Sequence, residues 1–96
     1  MRMLLKITID TEAGNRALQD GTLQQVIEST MGRFKPEAAY FTTVDGHRGG
    51  YIFFDLQDAS QLPVLSEPLF QRLHAKVELQ PVMTPEDLQR GLQQLS

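Results

Sequence analysis

The chain is expected to fold as one α+β domain with the element order βαββαβ and a trailing helix. Two segments, Arg2 to Ile9 and Ala75 to Gln80, alternate apolar and other residues with a period of two, as half-buried strands do. Two β-prone runs flank Asp45-Gly46, a strong short-range signal for a hairpin. Between the strands, leucines and other apolar residues recur at helical spacing. With 96 residues the chain makes a single domain, 1–96. A domain of this size leaves roughly a third of the unfolded chain's surface exposed, so dimerisation is a common remedy for marginal stability.

In strand one, Met3, Leu5, Ile7 and Ile9 share a face, and Leu4, Lys6 and Thr8 share the other. Glu12 to Phe34 then reads as helix in two pieces. Leu23, Val26, Ile27, Met31 and Phe34 mark the longer piece, Thr22 with Gln25 resembles a capping box, and Asp20-Gly21 breaks it from a short segment around Asn15 to Gln19. Lys35-Pro36 ends the helix. The hairpin follows, its second strand running to Leu56. Asp58 with Gln61 is expected to cap a helix over about Ala59 to Leu73, and Pro68 inside it predicts a kink or two short helices. After the strand at Ala75, Thr84-Pro85-Glu86-Asp87 opens a last helix, with Thr84 as cap and two acids at the positive dipole end. Its stripe of Leu88, Leu92 and Leu95 needs a surface to cover.

A two-residue turn at Asp45-Gly46 sets Tyr40 opposite Tyr51 and Ala39 opposite Ile52. Face parity follows. One face then carries Met3, Leu5, Ile7, Ala39, Phe41, Ile52, Phe54, Leu56, Val77 and Leu79, and packs on the helices. The other carries Lys6, Thr8, Tyr40, Thr42, Tyr51, Phe53, Asp55, Lys76 and Glu78, a mixed aromatic and charged surface that a second subunit or a ligand should cover. Gly49-Gly50 reads as a bulge, which would reverse the parity of the second strand, or as a place of close backbone approach.

This order describes a ferredoxin-like α+β sandwich with a four-stranded antiparallel sheet. The stretch Val77-Glu78-Leu79-Gln80-Pro81-Val82-Met83, together with Glu67-Pro68-Leu69-Phe70 ahead of it, resembles the dimeric α/β-barrel superfamily. Glu12-Ala13-Gly14-Asn15 and Lys35 to Phe41 are similar to a group of small uncharacterised bacterial proteins. The resemblance implies a homodimer whose two sheets face each other. Members of that superfamily include cofactor-independent monooxygenases, ring isomerases, haem proteins and non-catalytic ligand-binding modules, and their active pockets often lie between the sheet and the helices of each subunit. Here the helix-facing strand positions carry no His, Tyr or Asp, so no catalytic residue is carried over.

Composition narrows the function classes. Net charge is −3, against non-specific nucleic-acid binding, and Arg33 and Lys35 are the nearest approach to a basic cluster. Arg48-Gly49-Gly50-Tyr51-Ile52-Phe53-Phe54 resembles the third-strand signature of RNA-recognition domains, but the first strand lacks their stacking aromatic. There are no cysteines, so disulfides, thiolate catalysis and zinc–thiolate sites are excluded. With two histidines, a metal site would depend on carboxylates, and neither metal nor cofactor is expected. No run approaches ~20 apolar residues and no signal peptide is read, so a cytoplasmic protein is expected.

Few residues could carry chemistry. Tyr40 and Tyr51 could grip a flat ligand, or simply pack across the strands at a dimer interface. Asp55 near Tyr51 would add an acceptor to a phenol donor, or pair with Lys6 or Lys76. His74 before the last strand and His47 in the turn are the available imidazoles, each without a readable partner. Ser29 or Thr30 could reach inward from the helix. Two functions follow as expectations. One is a homodimeric module, structural or binding a small apolar or aromatic molecule. The other is a cofactor-independent enzyme of monooxygenase or isomerase type acting on an aromatic or polyketide-like substrate.

Overall fold

The computed structural model of the chain describes residues 1–95. Its elements are β1 (Arg2–Ile9), α1 (Thr11–Asp20), α2 (Thr22–Phe34), β2 (Ala38–Val44), β3 (His47–Asp55), α3 (Gln61–Leu73), β4 (Ala75–Pro81) and α4 (Pro85–Gln93). The four strands form one open antiparallel sheet in the order β2-β3-β1-β4. This is an α+β fold compatible with a ferredoxin-like arrangement.

The hairpin sets the register. Asp45 and Gly46 both have positive φ, 53° and 80°, as a two-residue turn matched to the strand twist requires. Ala39 then faces Ile52 and Tyr40 faces Tyr51, as the sequence predicts. No bulge interrupts β3, which pairs residue for residue with β1 from Arg48 to Asp55. Close approach is instead the reason for the paired glycines. A Cβ on Gly49 would come within 2.4 Å of the Ile7 carbonyl oxygen and 2.5 Å of Val44 Cγ2. One on Gly50 would come within 2.8 Å of the Phe41 ring.

The inward face forms the core with α1, α2 and α3. Leu5, Ile7, Ile52, Phe54, Val26, Leu65, Leu69 and Leu73 are almost fully buried. Phe34 closes one end, its ring edge-on to Phe54 at 5.6 Å. Ala39, Leu56, Val77 and Leu79 pack partly buried around this centre. Phe41 shares the inward face yet is 54% exposed. It stands on the edge strand, beyond the cover of the helices.

Four local expectations are corrected. α1 starts at Thr11, because Asp10 accepts a hydrogen bond from the Ala13 N–H and caps it. The Thr22–Gln25 capping box does not form. Gly21, at φ 84°, stands at the cap of α2, and Asp20 accepts from the Thr22 N–H. Pro68 does not divide α3 into two short helices; Gln61–Leu73 is one helix with the proline inside it. Proline costs that turn one N–H, and burial of Leu65, Leu69 and Leu73 outweighs the loss. Asp58 holds the turn before α3 by accepting from Ser60, while Gln61 accepts from the Gln57 N–H, so the two polar residues act one turn earlier than a simple cap.

α4 stands apart. Thr84 accepts from the Asp87 N–H while Asp87 accepts from the Thr84 N–H, a complete capping box with Pro85 in the first turn. No residue of α4 is buried, and Leu88, Leu92 and Leu95 are 46%, 55% and 80% exposed. The radius of gyration is 15.2 Å, where a compact chain of this length gives about 12–13 Å. The helix forms because its ends are well capped, and its apolar stripe has nothing to cover.

Two tests follow. Gly49→Ala should destabilise the domain by about 1–3 kcal/mol in urea unfolding, since main chain cannot yield to the added methyl. Gly32→Ala, with open space around it in exposed helix, should stabilise by about 0.5–1 kcal/mol. In α4, hydrogen bonds from the Thr84 backbone N–H and with its hydroxyl hold the Asp87 carboxyl below its usual value. A depressed folded-state pKa means the contribution is full above about pH 4 and is lost as pH falls through the depressed value. Amide exchange should therefore show α4 opening first on acidification. Thr84→Ala should loosen it by about 0.5–2 kcal/mol without lowering the main unfolding transition.

Candidate functional site

The structure keeps Tyr40 and Tyr51 together and sets Asp55 apart from them. Tyr40 and Tyr51 are cross-strand partners on the open face, Tyr40 at 65% exposure and Tyr51 half-buried. Asp55 is on the same face but two same-face positions further along β3, with Phe53 between. At about 3.3 Å per residue this sets it roughly 13 Å from Tyr51. Its carboxylate pairs with the Met1 amino group at 2.8 Å. Lys6 and Lys76, the expected partners, both pair with Glu78, at 3.4 and 3.6 Å. Glu78 keeps the Lys6 ammonium above its ordinary pKa. Tyr51 and Asp55 therefore form no phenol–carboxylate pair.

The remaining candidates are dispersed. His47 opens β3, exposed, with Nδ1 at 2.8 Å from Thr11 Oγ1. His74 caps α3 in the left-handed region, φ 50°, and is exposed. Thr30 is buried, but its hydroxyl donates to the Val26 carbonyl at 2.8 Å and so has no donor left to offer. Ser29 is exposed beside it, on a groove between α2 and α3. Among the described residues, no three His, Asp or Glu side chains are grouped to hold a metal ion. No described helix is long and apolar enough to cross a membrane.

What the structure adds is a cleft. It lies between the sheet and α2 at the hairpin end, with a volume of about 420 Å³. Ile7 and Ile9 of β1, Leu23 and Ile27 of α2, and Phe41 of β2 make its walls, with Gly50 beneath. Its origin is local. α2 covers β1 but stops short of the edge strand, and Gly50 adds no side chain to the floor. The Phe41 ring lies over that glycine. The volume is within the range of small-molecule sites, about 300–1,000 Å³.

Polar groups enter at the rim only. Thr43 and Arg48, cross-strand partners, lie on the inward face at the hairpin end. The Arg48 guanidinium reaches α1, donating to Asn15 Oδ1 at 3.0 Å and to the Thr11 carbonyl at 3.4 Å. Sequence reasoning overlooked Arg48 as a site residue, although the parity that turns Ile52 and Phe54 inward turns it inward too. The cleft itself has no signal in the sequence beyond the glycine opposite Ile7 and Phe41.

Comparison with family models, curated proteins and solved structures finds no match for the chain.

Proposed function

We propose that the chain is a homodimeric small-molecule-binding module of ferredoxin-like, dimeric α/β-barrel type, its ligand an apolar or aromatic molecule in the cleft between the sheet and α2. The observation that carries the reading is the cleft: an apolar trough walled by Ile7, Ile9, Leu23, Ile27 and Phe41. Water gains little from such a surface, and an apolar ligand would remove it from solvent. The polar side chains at the rim are Arg48 and Thr43, and the lining holds neither a carboxylate nor an imidazole. That favours binding over acid–base catalysis.

The dimer rests on a second surface. The open face presents Tyr40, Tyr51, Phe53 and Leu4 around the Lys6–Glu78 pair. Four strands about 4.8 Å apart and about seven residues long give a footprint near 440 Å². A standard interface buries about 800 Å² on each partner. The leucine stripe of α4 would supply part of the difference if it lies across the second copy. Both uncovered apolar surfaces are then satisfied by one assembly.

Light scattering at micromolar concentration should give about twice the 10.8 kDa of one chain. Tyr51→Ala, or deletion of residues 84–96, should shift the mass toward the monomer. A monomer in the unaltered protein overturns the dimer. For the cleft, the neutral fluorophore N-phenyl-1-naphthylamine should brighten on binding, and Ile27→Trp, which fills the trough, should weaken that binding at least tenfold while the domain stays folded. Absence of any enhancement by the unaltered protein overturns the cleft reading.

A further inference from the structure

Arg48 is a cation without a counter-charge. The ion pairs among the described residues join Met1 with Asp55, Arg2 with Glu37, Lys6 and Lys76 with Glu78, and Arg90 with Asp87. Arg48 is in none of them. Its guanidinium is held by two neutral acceptors, the Thr11 carbonyl and the Asn15 side-chain amide. Those use two of its five N–H groups.

The placement is also specific. Arg48 is half-buried on the inward face, opposite Ile9 on one side and Thr43 on the other. Its guanidinium rests on α1 at Gly14, where a Cβ would come within 2.9 Å of Nη1 and 3.2 Å of Ile9 Cγ2. Helix α1 thus carries a buried glycine where the arginine lies against it. The fork is fixed beside an apolar trough, and its charge is not neutralised.

We propose that the ligand of this cleft is an apolar monocarboxylate, an aryl or acyl acid, whose carboxylate pairs with Arg48. This rests on the cleft reading above and adds the chemical class. The body of the acid would lie along Phe41, Ile7 and Ile27 over Gly50. The carboxylate would sit at the hairpin end, where the planar guanidinium offers parallel donors and the Thr43 hydroxyl, which has no hydrogen-bond partner among the described residues, adds another. One arginine suits one negative charge. A phosphate dianion would need a second cation, and the cleft lining holds none. A ligand without a charge would leave the partly desolvated guanidinium unpaired beside it.

The test compares 2-naphthoate with 2-naphthamide, which share a ring and differ in charge. Titrations followed by methyl NMR report both affinity and location. The acid should bind the unaltered protein roughly tenfold or more tightly than the amide, with shifts at Leu23 and Ile27. Arg48→Gln should bring the acid down to the amide's affinity, and Arg48→Lys should recover part of the difference. Melting curves show that each variant is folded. Equal affinity for acid and amide in the unaltered protein overturns the proposal, as does a preference that survives Arg48→Gln. Shifts at Leu88 and Leu92 instead would place the acid on the α4 stripe and overturn it as well. If acid and amide both bind at Leu23 and Ile27 with equal strength, the cleft stands and only the charge argument fails. If N-phenyl-1-naphthylamine and both naphthyl compounds leave those signals unmoved, the cleft reading falls too.

Discussion

The strand register set by Asp45-Gly46 governs the molecule. Two residues with positive φ close the hairpin, and the pairing of Ala38 to Val44 with His47 to Phe53 follows. A slip of one residue would bring Tyr51 and Phe53 against the helices and expose Ile52 and Phe54. It would also move Arg48 to the opposite face and remove Gly50 from beneath the cleft. The core, the open aromatic surface and the site thus depend on one turn. β1, paired on both sides, carries that register to β4.

Much of the fold could be read from the residues because the signals were local. Strand alternation, the hairpin turn, the break at Asp20-Gly21 and the Thr84 cap each depend on neighbours a few positions away. The errors lie where packing decides. Pro68 weakens a helix by a known local mechanism, yet α3 continues because Leu65, Leu69 and Leu73 lock it onto the sheet. Thr22 and Gln25 have the spacing of a capping box, but Gly21 and Asp20 already satisfy that helix start. α1 begins one residue before Glu12 because its first turn is held by Asp10, the residue that follows β1.

The site was less legible for a related reason. A cleft is the absence of a covering group, and no residue announces it. It exists because α2 stops short of the edge strand. Tyr40, Tyr51 and Asp55 drew attention as polar and aromatic groups on one face. Same-face spacing along a strand, however, carries Asp55 away from Tyr51 and into reach of the Met1 amino group. Arg48 reads in the sequence only as part of a stretch like that of RNA-recognition domains, because a charged residue next to a turn is ordinarily solvated. Its distinction is the helix behind it.

The adjacent glycines of β3 have different mutational prospects. At position 49 the nearest obstacle is the Ile7 carbonyl oxygen, part of the strand ladder, and no companion change elsewhere can move it without breaking the sheet. At position 50 the nearest atom belongs to the Phe41 ring, a side chain that can shrink. Residues 41 and 50 are therefore epistatic partners. A larger residue at 50 becomes tolerable when 41 is small, although the Tyr40 carbonyl oxygen at 3.0 Å limits how much larger. Trading volume between these two positions reshapes the floor of the cleft while leaving the hairpin turn unchanged. That gives the fold a route to a different ligand shape through a coupled pair of substitutions, with position 49 closed to change throughout.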